Sequence, residues 1–137
     1  AVVAAAAVAD YRPKTVADNK MKKKDGDLSI ELERTPDTLS WLGAHRVAGQ
    51  HLCGFSMETC NVLENSRGKL TRKNVDMICA NSLREEGAGF GTATNHLTLI
   101  SREHEVDLPM LSKADAADAL LTELFSLDPL PASTEGK

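Results

Sequence analysis

An α/β fold built on a mainly parallel sheet is predicted by three features of this 137-residue chain. Its first ten residues are mostly valine and alanine, and a run of that kind reads as a strand buried on both faces. Two further short apolar runs, HLCGFSM at 51–57 and VDMICAN at 75–81, are separated by a stretch with helical character. Strands and helices thus alternate, the order in which helices come to cover a parallel sheet.

The remaining elements follow in chain order. DLSIELER at 27–34 alternates strictly, with Leu28, Ile30 and Leu32 on one side, and predicts a half-buried strand. Thr35, Pro36 and Asp37 read as an N-cap, a first-turn proline and a first-turn acid, so a helix is expected over 36–44. Thr59 is placed to cap a helix running to Lys73 in spite of Gly68. Residues 82–94, with Gly87, Gly89 and Gly91, are turn-like, and HLTLIS from His96 alternates as another strand. Ser112 and Asp115 form a capping box for a last helix, on which Ala117, Leu120, Leu121 and Leu124 share a face. The segment 128–137, polar and proline-containing, is expected to be a disordered tail.

Composition narrows the class. An apolar content of 42% over 137 residues suffices for one compact domain. No run of about 18 apolar residues occurs and the apolar start lacks a basic leader, so the expectation is a cytoplasmic protein with no membrane partner. A strand at residue 1 with nothing before it suggests that the natural polypeptide begins earlier. Cys53, Cys60 and Cys79 show no C-x-x-C spacing, and they read as buried apolar groups. The net charge of −4 argues against a nucleic-acid partner. Residues 11–24, however, hold Arg12, Lys14, Lys20, Lys22, Lys23 and Lys24 against Asp18, a net +5, which leaves −9 for the rest. Such a stretch is either a solvated loop or a local anion site.

Few residues suggest chemistry by spacing alone. Lys69 and Lys73, four apart on the second helix, can grip one anion together or can lay their stems over an apolar edge. The glycines at 87–91 precede a strand instead of linking a strand to a helix, so no dinucleotide loop is predicted. No two of His45, His51, His96 and His104 are spaced i, i+4, and no metal site is predicted. In parallel sheets ligands lie beyond the carboxyl ends of the strands, where Asp10, Phe55 and Asn81 fall.

AAAVADYRP at 5–13, KMKK at 20–23, TPD at 35–37, GFSMET at 54–59, KLTRKNVD at 69–76, ICAN at 78–81 and GAGFGTATN at 87–95 together resemble the phosphopantothenoylcysteine synthetase (phosphopantothenate-cysteine ligase) family. The resemblance implies a Rossmann-like domain, of which residues 1–127 are the C-terminal portion and the N-terminal part is missing. It further implies CTP-dependent ligation of 4'-phosphopantothenate with L-cysteine through an acyl-cytidylate, in coenzyme A biosynthesis. Magnesium would come with the CTP, and FMN would belong only to a fused decarboxylase domain absent from this sequence. By motif, Ala4, Ala5, Ala6, Asp10, Lys20, Pro36, Asp37, Thr38, Leu39, Phe55, Lys69 and Lys73 would hold CTP. Lys20, in the flap, would be the catalytic residue. A homodimer is implied, with the alternating 27–34 strand as its candidate surface. The fragment alone is expected to be inactive; the alternatives are an ATP-dependent ligase of the same kind and a non-catalytic nucleotide-binding or dimerisation fragment.

Overall fold

The computed structural model describes residues 1–22, 25–58, 61–82 and 91–133. In chain order the elements are β1 (Val2–Ala4), β2 (Tyr11–Pro13), β3 (Leu32–Arg34), α1 (Thr38–Ala44), β4 (Leu52–Glu58), α2 (Val62–Arg72), β5 (Met77–Ser82), β6 (Thr94–Asn95), β7 (Leu97–Ser101), β8 (Glu105–Asp107), β9 (Leu111–Ser112) and α3 (Lys113–Ser126). They divide into two compact units, one from Ala1–Ala5 with Thr38 onward and one from Ala6–Asp37.

The larger unit is a five-stranded sheet in the order β1-β4-β5-β7-β8. β1 to β4 and β4 to β5 are parallel, whereas β7 is antiparallel to both β5 and β8. β8 therefore points the same way as the first three strands, and β7 alone is reversed. This is the Rossmann-like, mainly parallel α/β arrangement expected. Neighbouring strand residues point to opposite faces, and the core divides accordingly. Cys53, Met77, Cys79, Leu97 and Leu99 pack on Ala116, Leu120 and Leu124 of α3. On the other face Leu52, Val75 and Ile78 pack on Leu39 of α1 and Leu70 of α2.

Two glycines let the helices on that second face come close. A Cβ at Gly54 would lie 2.2 Å from Leu39 Cδ2, so β4 admits the leucine of α1 only because position 54 is bare. A Cβ at Gly43 would lie 1.8 Å from the carbonyl oxygen of Lys73, and Asn74 Nδ2 donates to the Gly43 carbonyl at 3.1 Å. The end of α1 is thereby locked against the end of α2.

A buried ion pair fastens the sheet at its amino-end side. Arg46 meets Asp76 in a two-pronged contact, Nη2 to Oδ2 at 2.5 Å and Nη1 to Oδ1 at 3.1 Å, with both side chains at most 2% exposed. Asp76 also accepts from the backbone N–H of Leu52 at 2.7 Å and of Leu130 at 2.9 Å. Residues 128–133, within the stretch expected to be disordered, are consequently tied down: the Ser133 N–H donates to the Arg46 carbonyl, and His51 Nε2 meets the Leu127 carbonyl. A proline-containing polar tail looks loose in sequence, yet its backbone groups satisfy a buried carboxylate.

The smaller unit is a two-stranded ribbon, β2 antiparallel to β3. Lys14 pairs with Glu31 and Arg12 with Glu33, each at 2.7 Å, so two cations of the basic segment are already matched by acids. The strand expected over 27–34 shrinks to Leu32–Arg34. Its apolar side is not half-buried within this unit: Leu28, Ile30 and Leu32 are 68%, 59% and 55% exposed. The alternation is genuine, but a two-stranded ribbon has no second layer to cover it.

Helix boundaries shift for local reasons. The Thr35 hydroxyl donates to the Ala9 carbonyl instead of capping, and α1 starts at Thr38. α2 starts at Val62 from Asn61 in the left-handed region; the expected cap Thr59 lies outside the described residues, as do Lys23, Lys24 and most of the 82–94 segment. Ser112 does cap α3, accepting from the Asp115 N–H. Its buried face uses Ala116 in place of Ala117, while Leu121 is 39% exposed.

Replacing Asp76 with alanine strands the Arg46 cation in the core, and chemical unfolding should show a loss of roughly 3–5 kcal/mol. Burial alone would raise the Asp76 pKa, but the Arg46 contact and the two backbone donors outweigh it and hold it below the usual carboxylate value. Its stabilisation is therefore present above about pH 4 and lost as pH falls further. Unfolding measured against pH should show an acid limb that Asp76→Asn flattens.

Candidate functional site

The carboxyl ends of β1, β4 and β5 lie side by side, and what each strand presents there follows from its alternation. On β4, Leu52, Gly54 and Ser56 face α1 and α2, while Cys53, Phe55 and Met57 face α3. On the first face, Lys69 of α2 sends its amine inward. Lys69 Nζ donates to Ser56 Oγ at 3.0 Å, and Ser56 is only 1% exposed. The Lys69 amine therefore rests against β4 in this structure, while the residue as a whole is half-buried.

Lys73 is placed differently. α2 runs back from the end of β4 to the start of β5, so its C-terminal residue lies toward the opposite edge from the strand ends. Lys73 is the C-cap of α2, its N–H bonded to the Lys69 carbonyl, and its own carbonyl abuts Gly43.

On the α3 face a cavity of about 500 Å³ opens beside the strand ends. Val3, Ala5, Phe55, Met57 and Leu97 supply apolar walls, Asn81 and Asn95 carboxamides, and Lys113 an amine. Asn81 is 6% exposed, and its Oδ1 has no hydrogen-bond partner among the described residues. A buried carboxamide oxygen without a partner is costly, and it gives this wall of the cavity unused hydrogen-bonding capacity.

The residues singled out from the sequence separate accordingly. Ala4, Ala5, Thr38, Leu39, Phe55, Lys69 and Lys73 belong to the sheet unit. Ala4 is half-buried against the Leu39 and Leu52 cluster, opposite Gly54 in the β1–β4 register. The Leu39 side chain is core, so any contact it makes with a ligand falls to its backbone. Ala6, Asp10, Lys20, Pro36 and Asp37 belong to the ribbon unit, where the Asp10 carbonyl accepts from the Thr35 N–H. Lys20 lies outside any helix or strand. Ala5, Phe55 and Asn81 come together around the cavity, and Lys69 comes to β4 on the other face. Ser56 was not foreseen, although a polar residue on the buried side of an apolar strand was a legible signal.

Other reactive side chains have structural roles. Burial drives the Cys53 thiol up to about 12 against the lowering effect of a backbone contact with Cys79, with a smaller push from the Asp76 charge; burial and the neighbouring Cys53 raise Cys79 as well. His45 stacks on Trp41 with ring centres 4.3 Å apart, and His104 meets Glu123 at 2.6 Å. Among the described residues no group of three or more His, Cys, Asp or Glu is placed to hold a metal ion, and no helix is long and apolar enough to cross a membrane.

A mainly parallel sheet, helices on both faces and polar groups gathered at the strand ends define a Rossmann-like α/β domain. The sequence profile of the DNA/pantothenate metabolism flavoprotein C-terminal domain matches residues 1–127, and the chain belongs to that family. It is similar to the coenzyme A biosynthesis bifunctional protein CoaBC of Bacillus subtilis strain 168, 45% identical over 127 residues, covering 92% of this chain and 31% of that protein. The protein of the same name from Escherichia coli K12 is 38% identical over 127 residues, covering 90% and 31%. A relative called cysteine/cysteine sulfinic acid decarboxylase, from an unknown prokaryotic organism, is 39% identical over 126 residues, 35% of its length. The chain thus spans about a third of the curated relatives it matches. Among solved structures, the C-terminal domain of a CoaBC superposes with a TM-score of 0.65 at 38% identity, covering 86% of this chain and 49% of that one. A mutant of Cab2 in complex with phosphopantothenate-cysteine, at 18% identity and a TM-score of 0.53 over 76% of this chain and 34% of that one, shares the fold.

The thiol chemistry gives a direct check. In the folded protein a thiol reagent at neutral pH should leave Cys53 and Cys79 unmodified, and both should react once denaturant is added. Rapid native labelling of either would show that the sheet opens far more readily than its packing implies.

Proposed function

We propose that this chain supplies the nucleotide-facing part of a phosphopantothenate-cysteine ligase of coenzyme A biosynthesis. In this reading the carboxylate of 4'-phosphopantothenate attacks the α-phosphorus of CTP, a P–O bond forms, and pyrophosphate leaves. The amine of L-cysteine then attacks the acyl carbon of the acyl-cytidylate; the amide forms, a proton is lost and CMP is released. The observation that carries the reading is the Lys69 amine, drawn to Ser56 in the carboxyl-end half of β4 in a mainly parallel sheet. That is where α/β sheets place their ligands, and it coincides with motifs shared with proteins named for coenzyme A biosynthesis.

The roles follow from charge. A carboxylate approaching a triphosphate is repelled, and a cation brought by a flap offsets the repulsion while excluding water that would hydrolyse the mixed anhydride. Lys20 has that catalytic role. Lys69 meets the phosphates with geometric support; Lys73 joins it on the strength of the shared motif. Backbone groups of Ala4–Ala6, Pro36–Leu39 and Phe55, together with Asp10, hold the remainder of the nucleotide. Magnesium would arrive with the CTP and would neutralise phosphate charge there. FMN belongs to a fused decarboxylase part and not to these residues. The chain alone binds nucleotide without completing the ligation, so turnover is a property of the longer polypeptide.

The exposed row of Leu28, Ile30 and Leu32 supports a homodimer built on the ribbon, because a second copy laid on that row would bury its apolar surface. Ile30→Asp should shift the sedimentation of the protein toward monomer; an unchanged distribution would remove the ribbon from the interface.

In the longer enzyme, Lys20→Ala should lower kcat by about two orders of magnitude or more with a smaller change in CTP affinity, whereas Lys69→Ala should weaken CTP binding in a salt-dependent way. Competition between CTP and ATP in the same assay tests the nucleotide: preferential turnover of ATP would favour the ATP-dependent ligase. Nucleotide binding without turnover in the longer polypeptide would favour a non-catalytic module.

A further inference from the structure

We propose that Ser56 is a positioning residue that holds the Lys69 amine ready for the phosphates of a nucleotide; this rests on the nucleotide reading above. Ser56 lies in the carboxyl-end half of β4, on the side that also carries the apolar Leu52, and is 1% exposed. A hydroxyl at such a place is tolerated only if it is bonded, and it accepts from Lys69 Nζ at 3.0 Å. The bond does for the lysine what packing cannot. A four-carbon stem at the half-buried margin of α2 samples many rotamers, and tethering its end removes part of the ordering cost before an anion arrives.

An ammonium has three donors, and the Ser56 bond engages one of them. Ser56 itself touches no ligand in this scheme. It acts only through Lys69.

The test is calorimetric titration of the 137-residue chain with CTP and, separately, with cytidine, which lacks phosphates. Wild type, Ser56→Ala, Lys69→Ala and the double variant are compared, each first shown by thermal melting to be folded. Ser56→Ala should weaken CTP roughly three- to tenfold while leaving cytidine within about twofold, and should add nothing in the Lys69→Ala background. Unchanged CTP binding in Ser56→Ala, with Lys69→Ala weakened, overturns the role of Ser56 and leaves the nucleotide reading standing. Equal weakening of CTP and cytidine also overturns it, because packing alone would do that. No effect of Lys69→Ala, or no CTP binding by wild type, refutes the nucleotide reading of Lys69 and the Ser56 proposal with it.

Discussion

Everything at the strand ends depends on a carboxylate at the other edge. Asp76 stands just before β5, accepts from the first residue of β4, and is gripped by Arg46 from the loop between α1 and β4. Because β4 and β5 are short and parallel, fixing them relative to one another at their starts fixes which residues emerge together at their finishes. Phe55 opposite Cys79 and Met57 opposite Asn81 follow from that register. A buried charge pair contributes little net stability compared with apolar side chains, but a misaligned sheet would leave it unsatisfied.

The two faces of β4 give the domain two separate chemical environments one residue apart. Phe55 and Ser56 are adjacent in sequence, yet one contributes to an apolar cavity under α3 and the other to a polar contact under α2. A ligand at the strand ends can therefore be offered apolar surface and a cation from opposite sides of a single strand. No side chain has to cross the sheet for this.

Much of this was legible in the sequence, and the exceptions share a cause. The apolar runs at 51–57 and 75–81, the capping box at Ser112 and the parallel arrangement could be read because burial imposes a periodicity on them. Strand-end positions such as Phe55 and Asn81 followed from the fold class. The 27–34 alternation misled, since periodicity reports which residues share a side and not whether anything covers it. The order of residues 128–133 was invisible, because it comes from backbone N–H and C=O groups that every sequence possesses. Ala116 in place of Ala117 was a matter of one helical position, about 100° of rotation. Ser56 lay in plain view, but a lone polar residue on an inward side has meaning only once its partner on another element is known. The residues proposed to face a nucleotide were singled out by likeness, since backbone contacts leave no mark on residue type.

One vacancy the size of a methyl group has a longer reach than its chemistry suggests. With nothing but hydrogen on its α-carbon, Gly43 lets the Lys73 carbonyl settle against it, so the spacing between two helices is set by the smallest residue in the chain. Any larger side chain would wedge them apart and carry the neighbouring cations outward with one of them. If the proposed anion site holds, natural variation or laboratory selection that retunes it has a route through a position that never meets the anion, where a search confined to charged positions would not look.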